Sequence, residues 1–308
     1  MSTTEDVKAR IGSVKNIQKI TRAMEMVAAA RLRRAEQRIE ALRPYAGAIR
    51  RMTRQAAEAA GSSEVSSLPI LKEHDSQDTV ALLLVTGDRG LAGAFNSQIV
   101  RAGLRAAREH EGDGRTPIYS AVGRRGVSTL TFRGKDPVGR YVGFTDRPSY
   151  ADARAIAEDL IAAYVDGKTD RVDIFYNGYI SPLTQEVRRE TLLPLQQATI
   201  FEGGDDDEDD DEGDEASGAG HHRALVEYEP DAKEILARLV PDYVEISVYR
   251  ALLESTASEH GARLTAMRNA SENAGELIED LTLEMNRARQ AEITQEIMEV
   301  VAGAESLT

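Results

Sequence analysis

The strongest constraint on the fold is a regular spacing of apolar and small residues near the end of the chain. Between residues 264 and 288 these residues recur at alternating steps of three and four: Leu264, Met267, Ser271, Ala274, Ile278, Leu281, Met285 and Ala288. This is the a and d spacing of a helix that packs along a second helix. We therefore expect a long helix at this end of the chain and a helical partner for it.

The first 60 residues supply a candidate for the partner. Their apolar residues recur at helical spacing, and we expect all of them to lie on one stripe: Val7, Ile11, Val14, Ile17, Ile20, Met24 and Val27. Pro44 should kink this helix without ending it, because residues 46–60 again have a helical pattern. About 50 helical residues span roughly 75 Å, whereas a domain of about 140 residues is only about 30 Å across. We therefore favour two helices that protrude together over two that pack separately on a domain.

The charges also favour pairing of the two end helices. Residues 1–58 hold 13 Lys and Arg against 6 Asp and Glu, whereas residues 231–305 hold 7 against 15. Opposite net charges attract. Because a compact domain separates the helices in sequence, the chain should leave along one and return along the other, which makes them antiparallel. The last helix is longer by about 20 residues, so its apolar end at 293–304 has no partner in the chain and needs one elsewhere.

The middle of the chain has the alternating pattern of an α/β domain. Four runs are typical of strands: TVALLLV (79–85), PIYSAVG (117–123), RVDIFYNGYI (171–180) and QEVRRETLLPL (185–195). One helical stretch ends near residue 108, and another covers 151–165. This order predicts a mostly parallel sheet, with the last strand at an edge or antiparallel.

These patterns predict an α+β fold in four parts. A helix at 1–60 and a helix at 231–308 form a long antiparallel coiled coil, and a Rossmann-like α/β domain at 78–202 is inserted between them. An acidic insert follows at 203–222. The net charge of −14 is due mostly to residues 205–215, which carry ten acidic residues, and a segment of this composition should be disordered.

The sequence contains no motif that predicts catalysis. The glycine-rich GDRGLAGAFN (87–96) has neither GxxxxGK(S/T) nor GxGxxG spacing, so a tight turn is favoured over a phosphate loop. The five histidines are scattered, and there is no cysteine, HExxH or GxSxG. We expect no catalytic residue, cofactor or metal site, although His221 and His222 could bind a metal weakly. A nucleotide-binding enzyme built on the middle domain stays as an alternative, which an ATP-binding assay would test.

Basic residues of the first helix indicate an acidic partner. They are Arg31, Arg33, Arg34, Arg38 and Arg43. Acidic protein loops, nucleic acid or solvent alone could face them, and nucleic acid is disfavoured because no aromatic residues or recognised module accompany them. The first residues, MSTTEDVKAR, lack the apolar core of a signal peptide, and no run approaches the roughly 18 apolar residues of a membrane span. We expect a soluble chain that can still dock on a membrane complex.

Three stretches together resemble the γ subunit of F-type ATP synthases: SVKNIQKITRAMEMVAAARLRRAEQR (13–38), TGDRGLAGAFN (86–96) and the final run at 250–304, which includes SEHGARLTAM and RARQAEIT. The resemblance implies a rotor shaft whose coiled coil enters the α3β3 hexamer. The α/β domain would stay outside, near the ε subunit and the c-ring. The shaft as a whole would couple ion-driven rotation of the c-ring to conformational change at the catalytic sites of α3β3, for ATP synthesis or hydrolysis. The resemblance also implies that ATP chemistry belongs to the β subunit and that this chain lies at the cytoplasmic face of the cell membrane only as part of the F1 sector.

Residue by residue, the resemblance implies contacts with loops of the β subunit. The matching positions are Met24, Arg31, Arg33, Arg34, Arg89, Arg263, Arg289, Gln290 and Thr294. Plant-type relatives carry a cysteine pair in an insert before the final helix, and this chain has an insert there without cysteine, so thiol regulation cannot operate. A passive tether, in which the coiled coil and its domain hold partners apart without rotating, is the alternative.

Overall fold

The computed structural model describes residues 4–60, 68–195 and 231–305, with side chains described as far as Ala302. The predicted insert at 203–222 lies outside the described residues. Within these ranges the elements are, in chain order, α1 (Thr4–Ala60), β1 (Thr79–Val85), α2 (Phe95–Gly112), β2 (Thr116–Val122), α3 (Arg124–Phe132), β3 (Gly139–Tyr141), α4 (Tyr150–Val165), β4 (Arg171–Tyr179), β5 (Gln185–Leu193) and α5 (Ala232–Glu305). We call the part from β1 to β5 the head.

The head is built on a five-stranded sheet with the order β3-β2-β1-β4-β5. β1 pairs in parallel with both β2 and β4, and β3 lies parallel to β2. β5 pairs antiparallel with β4 at the opposite edge. The prediction of a mostly parallel sheet whose last strand is antiparallel is therefore confirmed.

The sequence analysis missed β3 and α3. β3 has only three residues, and α3 has the sequence RRGVSTLTF, in which glycine, serine and β-branched residues favour a helix weakly. Contacts with the sheet hold α3 in place, because the backbone amide of Gly126 donates to the hydroxyl of Thr86 at 2.8 Å. Short elements that depend on tertiary contacts leave little periodic signal in a sequence.

Helices cover both faces of the sheet. On one face, α2 and α3 pack against a cluster that includes Leu82, Leu84 and Phe175. On the other face lie α4 and the first third of α5, whose Val248 and Leu252 are buried in the core of the head. Burial on both faces explains why β1 is an unbroken apolar run. α5 therefore belongs to the core of the head as well as to the helix pair.

A buried charge network joins β4 to β5. Asp173 of β4 is fully buried. Its carboxylate accepts hydrogen bonds from Arg171 Nε at 2.9 Å and from Arg189 Nη2 at 2.8 Å. Burial alone would raise the pKa of Asp173, but the two arginines hold that pKa below its usual range. Removal of one partner would leave a buried charge unpaired, which is costly.

α1 and α5 pack along each other in opposite directions. Three clusters of packed side chains contain, in order along α1, Val7 with Leu281, Leu32 with Ala257, and Ile49 with Leu236. Both helices continue through an internal proline, Pro44 in α1 and Pro241 in α5. None of the helices in the described ranges combines the length and apolar character that crossing a membrane requires.

The predicted stripe on α1 is wrong at three residues after Val14. Ile17, Ile20 and Val27 are 53%, 59% and 52% exposed, so they face away from α5. The seam between the helices instead passes through polar residues. The hydroxyls of Thr21 and Ser271 lie 2.7 Å apart, and Gln18 Nε2 donates to the carbonyl of Ser271 at 3.2 Å. Helical periodicity places Gln18 and Thr21 in the seam after Val14. Because both are polar, the prediction took the neighbouring apolar residues Ile17 and Ile20 instead.

Candidate functional site: the helix pair and its joint with the head

The exposed apolar residues of α1 form a stripe on the outside of the helix pair. Ile17, Ile20, Met24 and Val27 follow steps of three and four, so they share one face of the helix. Met24 is half-buried, and the other three are about half exposed. We call this set the outer stripe. A row of exposed apolar residues on one face of a long helix indicates a surface that a partner covers.

The same face of α1 becomes basic one heptad later. Arg31 and Arg34 lie seven residues after the last two members of the outer stripe, so they continue it along the helix. Arg33 and Arg34 are exposed, and Arg31 is half-buried. Three of the predicted contact residues, Met24, Arg31 and Arg34, therefore share this face of α1, whereas Arg33 is exposed on another side of the helix.

α5 extends beyond the start of α1, as the sequence predicted. α5 has 74 residues and α1 has 57. Thr4, at the start of α1, donates from its hydroxyl to Glu292 Oε2 at 2.6 Å. Residues 293–302, which we call the tip, lie beyond this point, and all of them are exposed, including Ile297 and Val300.

Three predicted contact residues lie at the tip or next to it. Arg289 and Gln290 are exposed just before the tip, and Thr294 is exposed within it. The hydroxyl of Thr294 donates to the carbonyl of Gln290 at 2.8 Å. Both side chains that precede the tip are therefore accessible to a partner, beside an apolar surface.

Arg31 and one further predicted residue, Arg89, meet where the head contacts the helix pair. Arg31 of α1 places Nη1 2.9 Å from Asp146 Oδ2. Arg89, in the loop after β1, places Nη2 3.2 Å from the same oxygen. One carboxylate of the head therefore binds a cation from the helix pair and a cation from the head.

The last predicted residue, Arg263 of α5, is buried in the same region. Arg263 is only 7% exposed, and its Nη2 donates to Glu259 and, at 3.3 Å, to the carbonyl of Gly90. Burial raises the pKa of Glu259, and Arg263 opposes this effect. The Glu259 carboxylate lies against Gly87, where an added Cβ would be 2.7 Å from it. Only glycine leaves room for a carboxylate this close to the loop.

A neighbouring histidine has its protonation fixed by the same environment. His260 is buried, and burial together with Arg263 lowers its pKa to about 4. The Nδ1 atom of His260 lies 3.3 Å from Arg263 Nη1, so a neutral ring can accept a hydrogen bond from that guanidinium. His260 is therefore neutral near pH 7 in the folded chain.

Asp88 orders the loop that carries Asp146. The amides of Gly143 and Thr145 donate to Asp88 Oδ2 at 2.9 and 3.2 Å. Burial would raise the pKa of Asp88, but these backbone hydrogen bonds lower it overall. On the other side of the loop, the hydroxyl of Thr256 in α5 donates to the carbonyl of Thr145 at 3.0 Å. The loop is therefore held by the loop after β1 and by α5 together.

α5 fills the crevice in which sheets of this topology usually bind ligands. Ligands bind at the carboxyl edge where the strand order reverses, which here lies between β1 and β4. Ser258 of α5 donates to the carbonyl of Asn177 at the end of β4 at 3.0 Å, and Glu259 covers the end of β1. A cavity of about 10 Å³ remains beside Thr86 and Glu259, which is the size of one water molecule.

Two of the three histidines in the described ranges lie beside carboxylates of the head. His74 Nδ1 lies 2.9 Å from Asp170, and His110 Nε2 lies 3.5 Å from Asp173. Within the ranges that the structure describes, no three His, Asp or Glu side chains are arranged to hold a metal ion. His221 and His222 lie outside those ranges.

Sequence reasoning missed Asp146 and Glu259, which organise the joint. Glu259 lies four residues before Arg263 on a helical face whose other side chains are small and buried. An acidic and a basic residue at this spacing can form an ion pair, and this was the sequence signal for the buried pair. Asp146 lies in a loop after the missed strand β3, and nothing in the local sequence relates it to Arg31, 115 positions away.

Comparison with known proteins identifies relatives along the whole chain. A family model described as ATP synthase matches residues 3–307. The ATP synthase gamma chain of Rubrobacter xylanophilus is 42% identical over 307 residues, which cover 100% of this chain and 99% of that one. The ATP synthase gamma chain of Streptomyces coelicolor is 42% identical over 304 residues, covering 97% and 94%.

Two solved structures of ATP synthases contain chains that are similar to this one. A chain of the central stalk and c-ring of Tetrahymena thermophila mitochondrial ATP synthase is similar, with a TM-score of 0.58 and 27% identity, covering 82% of this chain and 99% of that one. A chain of the Euglena gracilis mitochondrial ATP synthase has a TM-score of 0.67 at 20% identity, covering 99% and 94%, which shows the fold alone. The matched family model and the full-length identity to gamma chains show that this chain belongs to the ATP synthase gamma-chain family.

Proposed function

We propose that this chain is the central-stalk rotor shaft of an F1Fo ATP synthase. In this role it couples ion-driven rotation of the c-ring to conformational change at the catalytic sites of α3β3. The observation that carries the proposal is the continuity of α5, which begins in the core of the head and ends in the exposed tip. A single helix of this kind moves its far end whenever the head turns.

The surface of the shaft supports a mechanism for the coupling. The outer stripe, the arginines beyond it and the tip make different faces of the helix pair chemically different. A shaft with unequal faces presents different contacts to three chemically identical sites. A change in contact energy at each angle then shifts the conformational equilibrium of each site. Rotation can therefore drive three sites through different states in turn.

The nine predicted residues are proposed as contacts with loops of the β subunit. Arg33, Arg34 and Arg289 are exposed cations, which suit acidic loops. Arg31 and Arg89 share Asp146 within the chain, and Arg89 is also exposed. Arg263 has an internal partner in Glu259, so its substitution would disturb the joint before it tested a contact.

The partners and the absence of catalysis follow from the same assignment. We propose that the tip lies in the sleeve of the α3β3 hexamer and that the head lies outside, near the ε subunit and the c-ring. ATP chemistry then belongs to β. The crevice filled by α5 supports the proposal that the head itself binds no nucleotide, and isothermal titration of ATP into the purified chain would test it.

The finer architecture is part of the proposal. We propose that α1 and α5 form an antiparallel coiled coil, in domains at 1–60 and 231–308, and that the head is a Rossmann-like domain at 78–202. The insert at 203–222 is proposed to be disordered. This chain would lie at the cytoplasmic face of the cell membrane, as a peripheral member of the F1 sector.

Single-molecule rotation tests the function directly. The chain is assembled with the α and β subunits of its own complex, and a bead on the head is followed during ATP hydrolysis. We expect stepwise rotation in one direction. Stable assembly without rotation would favour the passive tether, and failure to assemble would contradict the proposal.

A matched pair of variants tests one predicted contact. Arg289→Ala removes a predicted contact next to the tip, whereas Arg287→Ala removes an exposed cation two residues earlier on the same helix. We expect Arg289→Ala to slow ATP-driven rotation more than Arg287→Ala does. Equal rates for the two variants would remove Arg289 from the contact set.

A further inference from the structure

The head holds the two helices of the shaft in different ways. α5 is part of the hydrophobic core of the head through Val248 and Leu252, beside the strands and α4. α1 packs mainly on α5, and its last turns also pack beside Leu71, Leu195 and Tyr150 through Ile49 and Ala56. Torque applied to the head therefore enters α5 through a packed core, but it must reach the middle of α1, at residues 28–40, by another route.

The first direct route to α1 is the ion pair between Arg31 and Asp146. Asp146 follows a stretch of backbone that Asp88 holds from the loop after β1 and Thr256 holds from α5. The backbone next to Asp146 is therefore fixed, and Asp146 Oδ2 lies 2.9 Å from Arg31 Nη1. A preorganised partner resists displacement of α1 better than a mobile side chain would.

The second direct route is a hydrogen bond between the head and the next turns of α1. Tyr179, the last residue of β4, donates from its hydroxyl to Glu36 Oε1. Its ring packs against a cluster that contains Leu32 and Ala35 of α1 and Ala257 of α5. Tyr179 therefore touches both helices while it belongs to the sheet.

The two contacts hold α1 from different sides. Arg31 and Glu36 are five residues apart, which places them about 140° apart around the helix and about 7.5 Å apart along it. A single contact would let α1 pivot about that point. Two contacts at different angles oppose both rotation of α1 about its own axis and sliding along α5.

We infer that Asp146 and Tyr179 form a two-point clamp that locks α1 to the head, so that both helices of the shaft turn as one body. The seam nearby consists mostly of small or polar side chains, because Ala28, Ala35 and Ala257 surround the single large buried residue Leu32, and Thr21 pairs with Ser271 through polar atoms. The inference rests on the proposed rotor function. Asp146 and Tyr179 act here as positioning residues for the shaft.

The clamp predicts local loosening of α1 when its two contacts are removed. In the purified full chain, Asp146→Ala combined with Tyr179→Phe should speed amide exchange at residues 28–40 of α1 by about tenfold, as expected for loss of two hydrogen bonds of which one is charge-assisted. Exchange in β1 and β2 should be unchanged. The control is Asp136→Ala, which removes an exposed ion pair with Arg140 inside the head.

A second measurement tests the mechanical consequence in the assembled complex. The head carries a bead, rotation is halted with a non-hydrolysable nucleotide, and the width of the angular fluctuations gives the torsional stiffness of the shaft. We expect wider fluctuations for the double variant than for wild type or Asp136→Ala, and an intermediate width for Tyr179→Phe alone. Unchanged exchange at 28–40 together with unchanged fluctuations would overturn the clamp.

The design separates failure of the clamp from failure of the rotor assignment. If the wild-type complex does not rotate, the proposed function fails, whatever the variants do. If the wild type rotates and the double variant matches it in both measurements, only the clamp is overturned. If the double variant does not assemble, amide exchange in the free chain decides the outcome.

Discussion

Substitution of Gly87 by alanine probes the closest contact between the head and α5. Gly87 lies two residues after the end of β1, and the carboxylate of Glu259 in α5 lies directly against it. An added Cβ would lie 2.7 Å from the carboxyl carbon and from Oε2 of Glu259, and 2.8 Å from Oε1. Real Cβ atoms do not approach other heavy atoms this closely, so the carboxylate must retreat.

The magnitude follows from what holds the carboxylate. Glu259 is 1% exposed and is hydrogen-bonded to Arg263, which is itself buried, so it has little room to move without breaking that pair. Overpacking a core costs about 1–3 kcal/mol, and disrupting a buried ion pair costs about 3–5 kcal/mol. Partial relaxation lies between these limits. We expect Gly87→Ala to lower the free energy of unfolding by about 2–4 kcal/mol.

Urea denaturation followed by far-UV circular dichroism measures this change. Gly12→Ala is the matched control, because Gly12 lies inside α1 with nothing within 4 Å of an added Cβ. Alanine favours a helix interior, so the control should stabilise the chain by about 0.5–1 kcal/mol. The same chemical change is therefore expected to have opposite signs at the two sites.

A compensating change tests the proposed cause. Glu259→Asp shortens the side chain by one methylene and should make room for the new methyl group. We expect the double variant Gly87→Ala with Glu259→Asp to be less destabilised than the sum of the two single variants. A Gly87→Ala variant within about 0.5 kcal/mol of wild type, or strictly additive effects, would refute the steric explanation.

Three further predictions concern buried charges and the helix seam. Asp173→Asn should lower the free energy of unfolding by about 3 kcal/mol at pH 7. Because the folded pKa of Asp173 is lowered, its contribution to stability exists above the unfolded pKa of 3.8 and is lost as the pH falls through the folded pKa. Urea titrations from pH 6 to 2 should therefore show a shallower loss of stability for the variant than for wild type. The folded pKa of His260, about 4, is below the usual 6.5, so stability should fall as the pH drops from 6.5 toward 4, and the ring proton resonances of His260 should not titrate between pH 8 and 5.5. Leu281→Ala, at 4% exposure in the seam, should cost about 2–4 kcal/mol in thermal unfolding, whereas Leu283→Ala, at 58% exposure, should change stability by less than about 0.5 kcal/mol. A titrating His260, or equal losses for the two leucine variants, would contradict these assignments.

The sequence predicted what depends on long periodic patterns. The apolar run of β1 and the a and d spacing of α5 recur over enough residues to identify each element and its approximate ends. The antiparallel edge strand was also recognisable, because β5 alternates more than the buried strands do. Tertiary context decided the rest.

The errors have two physical origins. On α1, Ile17, Ile20 and Val27 were assigned to the seam because they are apolar, yet Gln18 and Thr21 occupy it. A row of apolar residues indicates a surface that is buried, but it does not show whether the same chain or a partner protein buries it. The joint around Asp146 was not predictable for a different reason, since its contacts join residues that are distant in sequence.

The single-helix construction of α5 has a consequence for the timing of the rotor. No loop separates the core of the head from the tip, so the angular phase between them depends only on how many residues α5 contains. Insertion of one residue past the joint would advance the tip by about 100° and lift it by about 1.5 Å. That rotation is close to the angle of about 120° that separates neighbouring catalytic sites of α3β3. The number of residues in α5 therefore sets the angle of the tip relative to the head.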